Sequence, residues 1–338
     1  MDMKKAFLLE KMSIQVRDVP KPRLEPDHVL VKVHACSICG TDLHSYRYGE
    51  NEIMKRVPRN FPMSSFYGAI NSQGGGHQIS GEIVELGADV TQWKISDRVA
   101  GVGRSGFAEY CSMKRIYPLP NELSYEAGSF TEPLGVAVAA VRRSGIRLGD
   151  FAVVLGAGPI GHLTLQCAKA AGGTVYVTEV SEKRIKLAEM FADEVINPRE
   201  INPVKRVEEL MGGVAPNVIF ECAGKDATIK QLIDMAGKYW TPYGQHMRGV
   251  IVSLFEKPWI YDLFDNNAII AKSMELIGSP TYYPYEHPKD ELRIAIDLMK
   301  TGKINVMPLI TSKISLEDID LGFKTLLKGE ELCVVIHP

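Results

Sequence analysis

The chain has 338 residues, 45% of them apolar and 24% charged, as expected of an ordinary globular protein long enough for two domains. With 39 basic and 41 acidic residues the formal net charge is −2, so no electrostatic reason exists to expect nucleic acid or an anionic membrane as partner. The apolar runs fall well short of the ~20 residues that a spanning helix requires, the opening Met-Asp-Met-Lys-Lys does not read as a signal peptide, and six cysteines in so long a chain do not form a disulfide framework; a reduced, cytoplasmic protein is expected.

The first third reads as mostly β, with strand-like runs over residues 29–35, 81–86, 98–102 and 107–111 separated by Gly- and Asp-bearing turns. Residues 34–44 read His-Ala-Cys-Ser-Ile-Cys-Gly-Thr-Asp-Leu-His, which crowds thiol, hydroxyl, carboxylate and imidazole into one short turn after a strand. Gly75-Gly76-His77-Gln78 precedes the next strand, and Glu132 stands in Phe130-Thr131-Glu132-Pro133-Leu134, just before a helix. Cys, His and a carboxylate together suit Zn²⁺, which in catalytic sites takes three protein ligands and leaves a fourth position open. Taken singly, each of the eight histidines is more readily exposed or structural. The Cys36 and Cys39 pair also fits a redox couple or half of a structural zinc site. Cysteines 111, 167, 222 and 333 are too scattered to complete the latter, and nothing thioredoxin-like surrounds the former.

From about Ser144 strand and helix alternate, over residues 151–155, 160–171, 175–178, 182–191, 218–222, 226–236 and 249–254, the mark of a parallel sheet covered by helices. The first strand runs into Gly156-Ala157-Gly158-Pro159-Ile160-Gly161, a G-x-G-x-x-G turn. Gly156 allows the tight turn, Gly158 lets backbone approach a pyrophosphate, and Gly161 lets the helix pack close to the strand. Around Pro159 and Ile160 the helix N-terminus turns unpaired N–H groups to the phosphates. Such a turn alone is weak evidence, but here the second strand ends at Glu179, 23 positions after Gly156. A carboxylate there accepts hydrogen bonds from both adenosine ribose hydroxyls and repels a 2′-phosphate, which favours NAD over NADP; Lys183 and Arg184 temper the preference. A Pro- and Tyr-rich loop follows Ser279, then amphipathic helices near 290–300 and 316–327 and a last strand over 333–336. The expected domains are 1–143, 144–278 and a return to the first over 279–338, with a cleft between them for chemistry.

The ordered set Cys39-Gly40-Thr41-Asp42-x-His44, Gly76-His77, Asp97-Arg98-Val99, Gly106-Phe107-Ala108-Glu109-Tyr110, Glu132-Pro133-Leu134 and the glycine turn resembles the zinc-dependent medium-chain dehydrogenase/reductase family, in particular its polyol, sugar and threonine dehydrogenase branch. The match spans essentially the whole chain. It implies an α/β fold in which a Rossmann coenzyme domain is inserted into a GroES-like β-rich catalytic domain, one catalytic Zn²⁺, NAD, and a homodimer or homotetramer. It further implies Cys39 and His77 as zinc ligands, Glu132 as acidic ligand or near-ligand, and Thr41 and His44 as a proton relay. The implied reaction interconverts a secondary alcohol and a ketone. Three departures stand out: Gln78 where the family has Glu after Gly-His, no lobe with four closely spaced cysteines between Val99 and Gly106, and a long segment over 45–76 that carries Tyr46, Arg47, Tyr48, Arg56, Arg59 and Tyr67. Gln78 either lies among the zinc-site groups and leaves the ion more electrophilic, or it only makes hydrogen bonds behind the ligands. The long segment is a lid, a subunit contact or a loop of neither kind. Two rival functions are a zinc-free NADPH quinone or enone reductase and a nucleotide-binding protein without catalysis. Tyr239, Trp240 and Tyr243 fit either a core or an interface.

Overall fold

In the computed structural model residues 2–49, 70–236, 247–253, 269, 272, 274–279 and 290–338 are described. Two units divide the chain: Met1–Glu132 together with Pro284–Pro338, and Pro133–Tyr283. In the first unit β1 (Asp2–Glu10) and β2 (Ser13–Pro20) form an antiparallel hairpin. The main sheet there holds β3 (Val29–Ser37), β4 (Gln78–Leu86), β5 (Arg98–Val102), β6 (Tyr110–Met113), β7 (Arg115–Pro118) and, from the far end of the chain, β14 (Ile310–Ser315) and β15 (Cys333–His337). Its order is β14-β15-β3-β4-β5-β7, with β6 also on β3, so β15 holds an interior place beside a strand some 300 residues earlier. Val31, Ile79, Ile83, Phe107, Phe323 and Ile336 pack into its core at 1% exposure or less. Burying each such side chain stabilises by about 1.5–3 kcal/mol.

Residues 107–109 are not part of a strand, although alternation pointed to one over 107–111. Phe107 N donates to Gly75 O at 3.0 Å and Gly106 N to Gly76 O at 2.8 Å, while Ala6 N donates to Phe107 O at 2.9 Å and Ala108 makes a single bridge to Lys5, so this stretch bonds to the loop that enters β4 and to β1 before β6 begins at Tyr110.

The second unit is a six-stranded parallel sheet of β8 (Phe151–Leu155), β9 (Thr174–Thr178), β10 (Glu194–Ile196), β11 (Val218–Glu221), β12 (Arg248–Ile251) and β13 (Glu275–Gly278). Their order, β10-β9-β8-β11-β12-β13, is the doubly wound order of a dinucleotide-binding Rossmann sheet. The inner strands are buried along nearly their whole length because a parallel sheet is covered on both faces, which is why they read as unbroken apolar runs. Helix Pro159–Ala170 follows β8 and helix Asp226–Met235 follows β11. Helix Pro203–Leu210 starts where Asn202 Oδ1 accepts from Val204 N and Lys205 N with Pro203 in the first position. Among the described residues no helix is long and apolar enough to cross a membrane. Arg56, Arg59, Tyr67, Tyr239, Trp240, Tyr243 and the Pro- and Tyr-rich loop after Ser279 lie outside the described residues.

Candidate active site

The antiparallel register of β3 and β4 ends on Ser37 opposite Gln78. Cross-strand partners share a face, and the chain leaves β3 toward Cys39 next to the point where His77 leads into β4. Cys39 is the N-cap of helix Gly40–Tyr48, in a reciprocal capping box with Asp42. The fully buried Asp42 takes Cys39 N on Oδ2 at 2.9 Å and Ile70 N on Oδ1 at 2.8 Å, so one carboxylate ties the sulfur-bearing turn to the segment that delivers His77. Burial raises its pKa to about 6, against the pull of His77 and the two backbone donors. The last approach to His77 is made by Gly75 and Gly76. A Cβ on Gly75 would stand 2.2 Å from Ile70 Cα, and one on Gly76, at φ +87°, would stand 2.8 Å from Phe107 N and 2.9 Å from the Cys36 sulfur.

His77 forms a side-chain hydrogen bond with Cys39. Its Nδ1 is buried without a partner. Burial works to lower its pKa, but Cys39, Glu132 and Asp42 carry it well above the ordinary imidazole value. An orphaned ring nitrogen beside a sulfur, with a carboxylate close by, is a donor set that fits Zn²⁺. Glu132, the second residue of helix Thr131–Ser144 rather than a loop residue ahead of it, is 6% exposed. Its Oε2 accepts from Gln78 Nε2 at 2.9 Å, and Gln78 Oε1 accepts from Ser37 Oγ at 2.6 Å. Thus Cys39 and His77 meet directly, while the amide of Gln78 is engaged at both ends.

The ligand atoms of Cys39, His77 and Glu132 do not all fall within 4.8 Å of one another. Among the described residues the only set of three that does is the exposed Glu25 and Asp27 with the half-buried His28, where Asp27 is already taken by Lys114 at 2.6 Å and His28 at 2.7 Å. Thr41 and His44 stand three residues apart on one side of helix Gly40–Tyr48. Thr41 Oγ1 is buried with no partner, and the His44 ring lies 6.0 Å from that of Tyr48.

In the second unit each glycine of the turn has its own constraint. Gly156 has φ +94° and donates its N–H to Thr178 O at 2.8 Å. A Cβ on Gly161 would stand 1.9 Å from Gly156 O, whereas one on Gly158 would meet nothing within 4 Å. The open space sits at the N-cap of helix Pro159–Ala170, with Pro159 and Ile160 its first two residues. Glu179, 6% exposed, accepts from Ala157 N at 2.8 Å on Oε2 and from Val180 N and Ser181 N at 2.8 and 2.9 Å on Oε1. Three of a carboxylate's about four acceptor positions are therefore used. Arg184 Nη1 is 3.8 Å from the same group.

Residues 25–154 match the alcohol dehydrogenase GroES-like domain and residues 159–301 the zinc-binding dehydrogenase domain. The (R,R)-butanediol dehydrogenase of Bacillus subtilis is 33% identical over 99% of this chain and 100% of its own. Its solved structure superposes with a TM-score of 0.83 over 99% of both chains, at 32% identity. The chain belongs to the zinc-type medium-chain dehydrogenase/reductase family. Sorbitol dehydrogenase 1 of Saccharomyces cerevisiae is 32% identical over 93% of this chain and 91% of its own. A zinc-binding dehydrogenase of Sinorhizobium meliloti 1021, solved bound to NADP, has a TM-score of 0.83 at 27% identity over the whole of both chains. This medium-chain dehydrogenase is therefore an alcohol oxidoreductase of the polyol-dehydrogenase-like branch.

Four further groups of the dehydrogenase escape a reading of motifs. Ser37 and Asp42 lie inside the Cys39 motif, and only Asp42, three residues after Cys39, carries a capping-box spacing that marks it. Glu221 is fully buried and accepts from Ala223 N, Gly224 N, Thr228 Oγ1 and the Ser253 hydroxyl, which holds Ala223 against Gly156. His162, next after Gly161, is fully buried with neither ring nitrogen partnered, and burial pushes its pKa down to about 4 against the influence of Glu179.

Proposed function

We propose that this dehydrogenase interconverts a secondary alcohol and its ketone in a polyol, sugar, cyclitol or amino alcohol, with one catalytic zinc ion and NAD(H). The observation that carries the reading is the pairing of Cys39 with a His77 ring whose Nδ1 has no partner, next to the buried Glu132. Cys39, His77 and Glu132 would hold the ion, which supplies Lewis acidity to the alcohol oxygen. Thr41 Oγ1 would take the alcohol's proton while passing its own on through the nicotinamide ribose to His44 and so toward solvent, and bound NAD would supply the hydride acceptor for the carbinol carbon. One proton and one hydride leave the alcohol, and a ketone and reduced coenzyme result. The bare backbone at Gly158 would receive the pyrophosphate, and the unused acceptor position of Glu179 would take a ribose hydroxyl. The adjacent carboxylate disfavours a 2′-phosphate. Relatives named for butanediol and sorbitol support a substrate with more than one hydroxyl. In this reading the enzyme is cytoplasmic and a homodimer or homotetramer.

The test is a panel of polyols, cyclitols, amino alcohols and sugar acids, offered with NAD or NADP to zinc-loaded protein and followed by the absorbance of reduced coenzyme, with metal analysis alongside. One zinc per chain and reduction of NAD in preference to NADP are expected. Metal-free protein that reduces enones with NADPH would replace the proposal with the zinc-free reductase. NAD binding without zinc or turnover would replace it with a nucleotide-binding protein.

A further inference from the structure

We propose that Ser37 and Gln78 form a positioning relay for Glu132, clamping one carboxylate oxygen so that the other alone is left to meet the zinc ion. The proposal rests on the reading of Glu132 as a zinc ligand. It departs from that reading in removing residue 78 from the ligand set and in giving a role to Ser37.

The relay is built by sheet register. Ser37 is the last residue of β3 and Gln78 the first of β4, and the two are cross-strand partners, so their side chains stand side by side on one face. Ser37 is 3% exposed, Gln78 4% and Glu132 6%, so the chain of bonds runs through the interior. The direction of the chain of bonds is fixed by chemistry. An ionised carboxylate only accepts, so the NH₂ of Gln78 faces Glu132 Oε2 and its carbonyl faces Ser37. Ser37 has a single proton and two acceptors, Gln78 Oε1 at 2.6 Å and Ser129 O at 3.2 Å. The shorter contact takes it, and the serine thereby locks the amide in the orientation that Glu132 needs.

Two consequences separate this arrangement from a ligand role for Gln78. To reach an ion with its one possible donor atom, Oε1, the amide would have to give up Ser37 and turn its NH₂ away from a buried carboxylate, leaving both partners unsatisfied. A glutamate at position 78 would instead bring a second carboxylate to within 2.9 Å of the first, a like-charge contact in a poorly solvated place. Glu132 Oε1, by contrast, takes no hydrogen bond among the described residues and is the oxygen left to bind.

The test compares the full-length protein with Ser37→Ala, Ser37→Thr, Gln78→Leu, Ser37→Ala/Gln78→Leu and Glu132→Ala. Zinc affinity is measured by competition with a chromophoric chelator, and the visible spectrum is recorded after cobalt(II) replaces zinc. Loss of a partner that orients a metal ligand costs roughly 10–100-fold in affinity, and that loss is expected for Ser37→Ala and Gln78→Leu. The double variant should be no weaker than Gln78→Leu alone, because both changes break one chain. Ser37→Thr keeps the hydroxyl and should restore affinity. In Gln78→Leu both oxygens of Glu132 become available, so the cobalt absorption should weaken as the coordination number rises. Should Gln78→Leu not fold, as judged by its thermal melt without metal, the smaller Ser37→Ala change carries the test. Wild-type zinc affinity and an unaltered cobalt spectrum in Ser37→Ala and Gln78→Leu, with binding weakened in Glu132→Ala, would overturn the relay alone. Zinc affinity undiminished in Glu132→Ala would overturn the ligand reading and the relay with it.

Discussion

The Cys39–His77 end of the first unit and the glycine turn of the second are built by opposite means. At the turn the working surface is backbone. Gly156, Gly158 and Gly161 act through what they lack, each within a six-residue stretch, and the geometry depends on a carbonyl 1.9 Å from where one Cβ would be. At the proposed zinc site the groups are side chains from three separate elements, positioned by a ladder register and by one buried carboxylate, Asp42, that bonds both the Cys39 turn and Ile70. Local sequence specifies the first kind of site, and long-range pairing specifies the second. Substitutions should therefore fail differently in the two places.

The sharpest contrast is expected at Asp42. Asp42→Ala leaves Cys39 N and Ile70 N without their acceptor in the interior, at about 1–3 kcal/mol for each unsatisfied group. Urea denaturation should register that loss, and zinc content should fall with it while coenzyme binding persists. Retained zinc in a destabilised Asp42→Ala protein would break the link between the carboxylate and the Cys39–His77 pairing. At the turn, Gly161→Ala forces a Cβ onto a backbone carbonyl, and overpacking of this kind costs about 1–3 kcal/mol. Gly158→Ala meets no atom within 4 Å, so its stability should change by no more than about 0.5 kcal/mol, yet its dinucleotide affinity by calorimetry should drop. Equal thermal melts for the two variants would contradict the division of labour among the glycines.

A third comparison sets Asp42 against His162. Both are buried and titratable, but Asp42 is fully bonded and His162 is not. An unfolded histidine titrates near 6.5, whereas His162 in the folded chain does so at about 4. As pH falls from about 6.5 to about 4 the unfolded chain takes up this proton first, so stability declines across that window, by on the order of 3 kcal/mol, and not further below it. His162→Leu should remove that part of the pH dependence. It should also stabilise the protein near neutral pH by about 1–3 kcal/mol, since an unsatisfied polar group is removed from the interior. The difference between the two urea-derived stability curves over this pH range measures both effects, and a flat difference would mean that His162 finds a partner when the chain folds.

Much of the fold is legible because its signals are local. β8 is a run of Phe, Ala, Val, Val and Leu closed by glycine, and the strand and turn bounds follow from those residues alone. The β10 strand, only Glu194–Ile196, is too short for any pattern, and in the β1–β2 hairpin alternation is present but short and broken by the charged pairs Lys4-Lys5 and Arg17-Asp18, so it is less plain than the apolar run of β8. In the same way Cys39, His77 and Glu132 stand out by residue type, but Ser37 does not. A serine on a strand has no distinguishing spacing until the register puts it opposite Gln78. Residues 107–109 mislead for the converse reason, since they make one isolated bridge, Ala108 to Lys5 of β1, and backbone bonds to β1 and to the Gly75 loop instead of a continuous ladder.

With coenzyme placed at the glycine turn as proposed, Glu179 also constrains any re-engineering of NAD against NADP preference. Its carboxylate anchors Ala157 inside the glycine turn and also the two amides that follow Glu179, those of Val180 and Ser181. Exchanging the acid for a small neutral residue to admit a bulkier, doubly charged nucleotide would loosen the loop that has to grip it. A successful redesign has to keep an acceptor at this position, or supply one from a neighbour, before it adds positive charge.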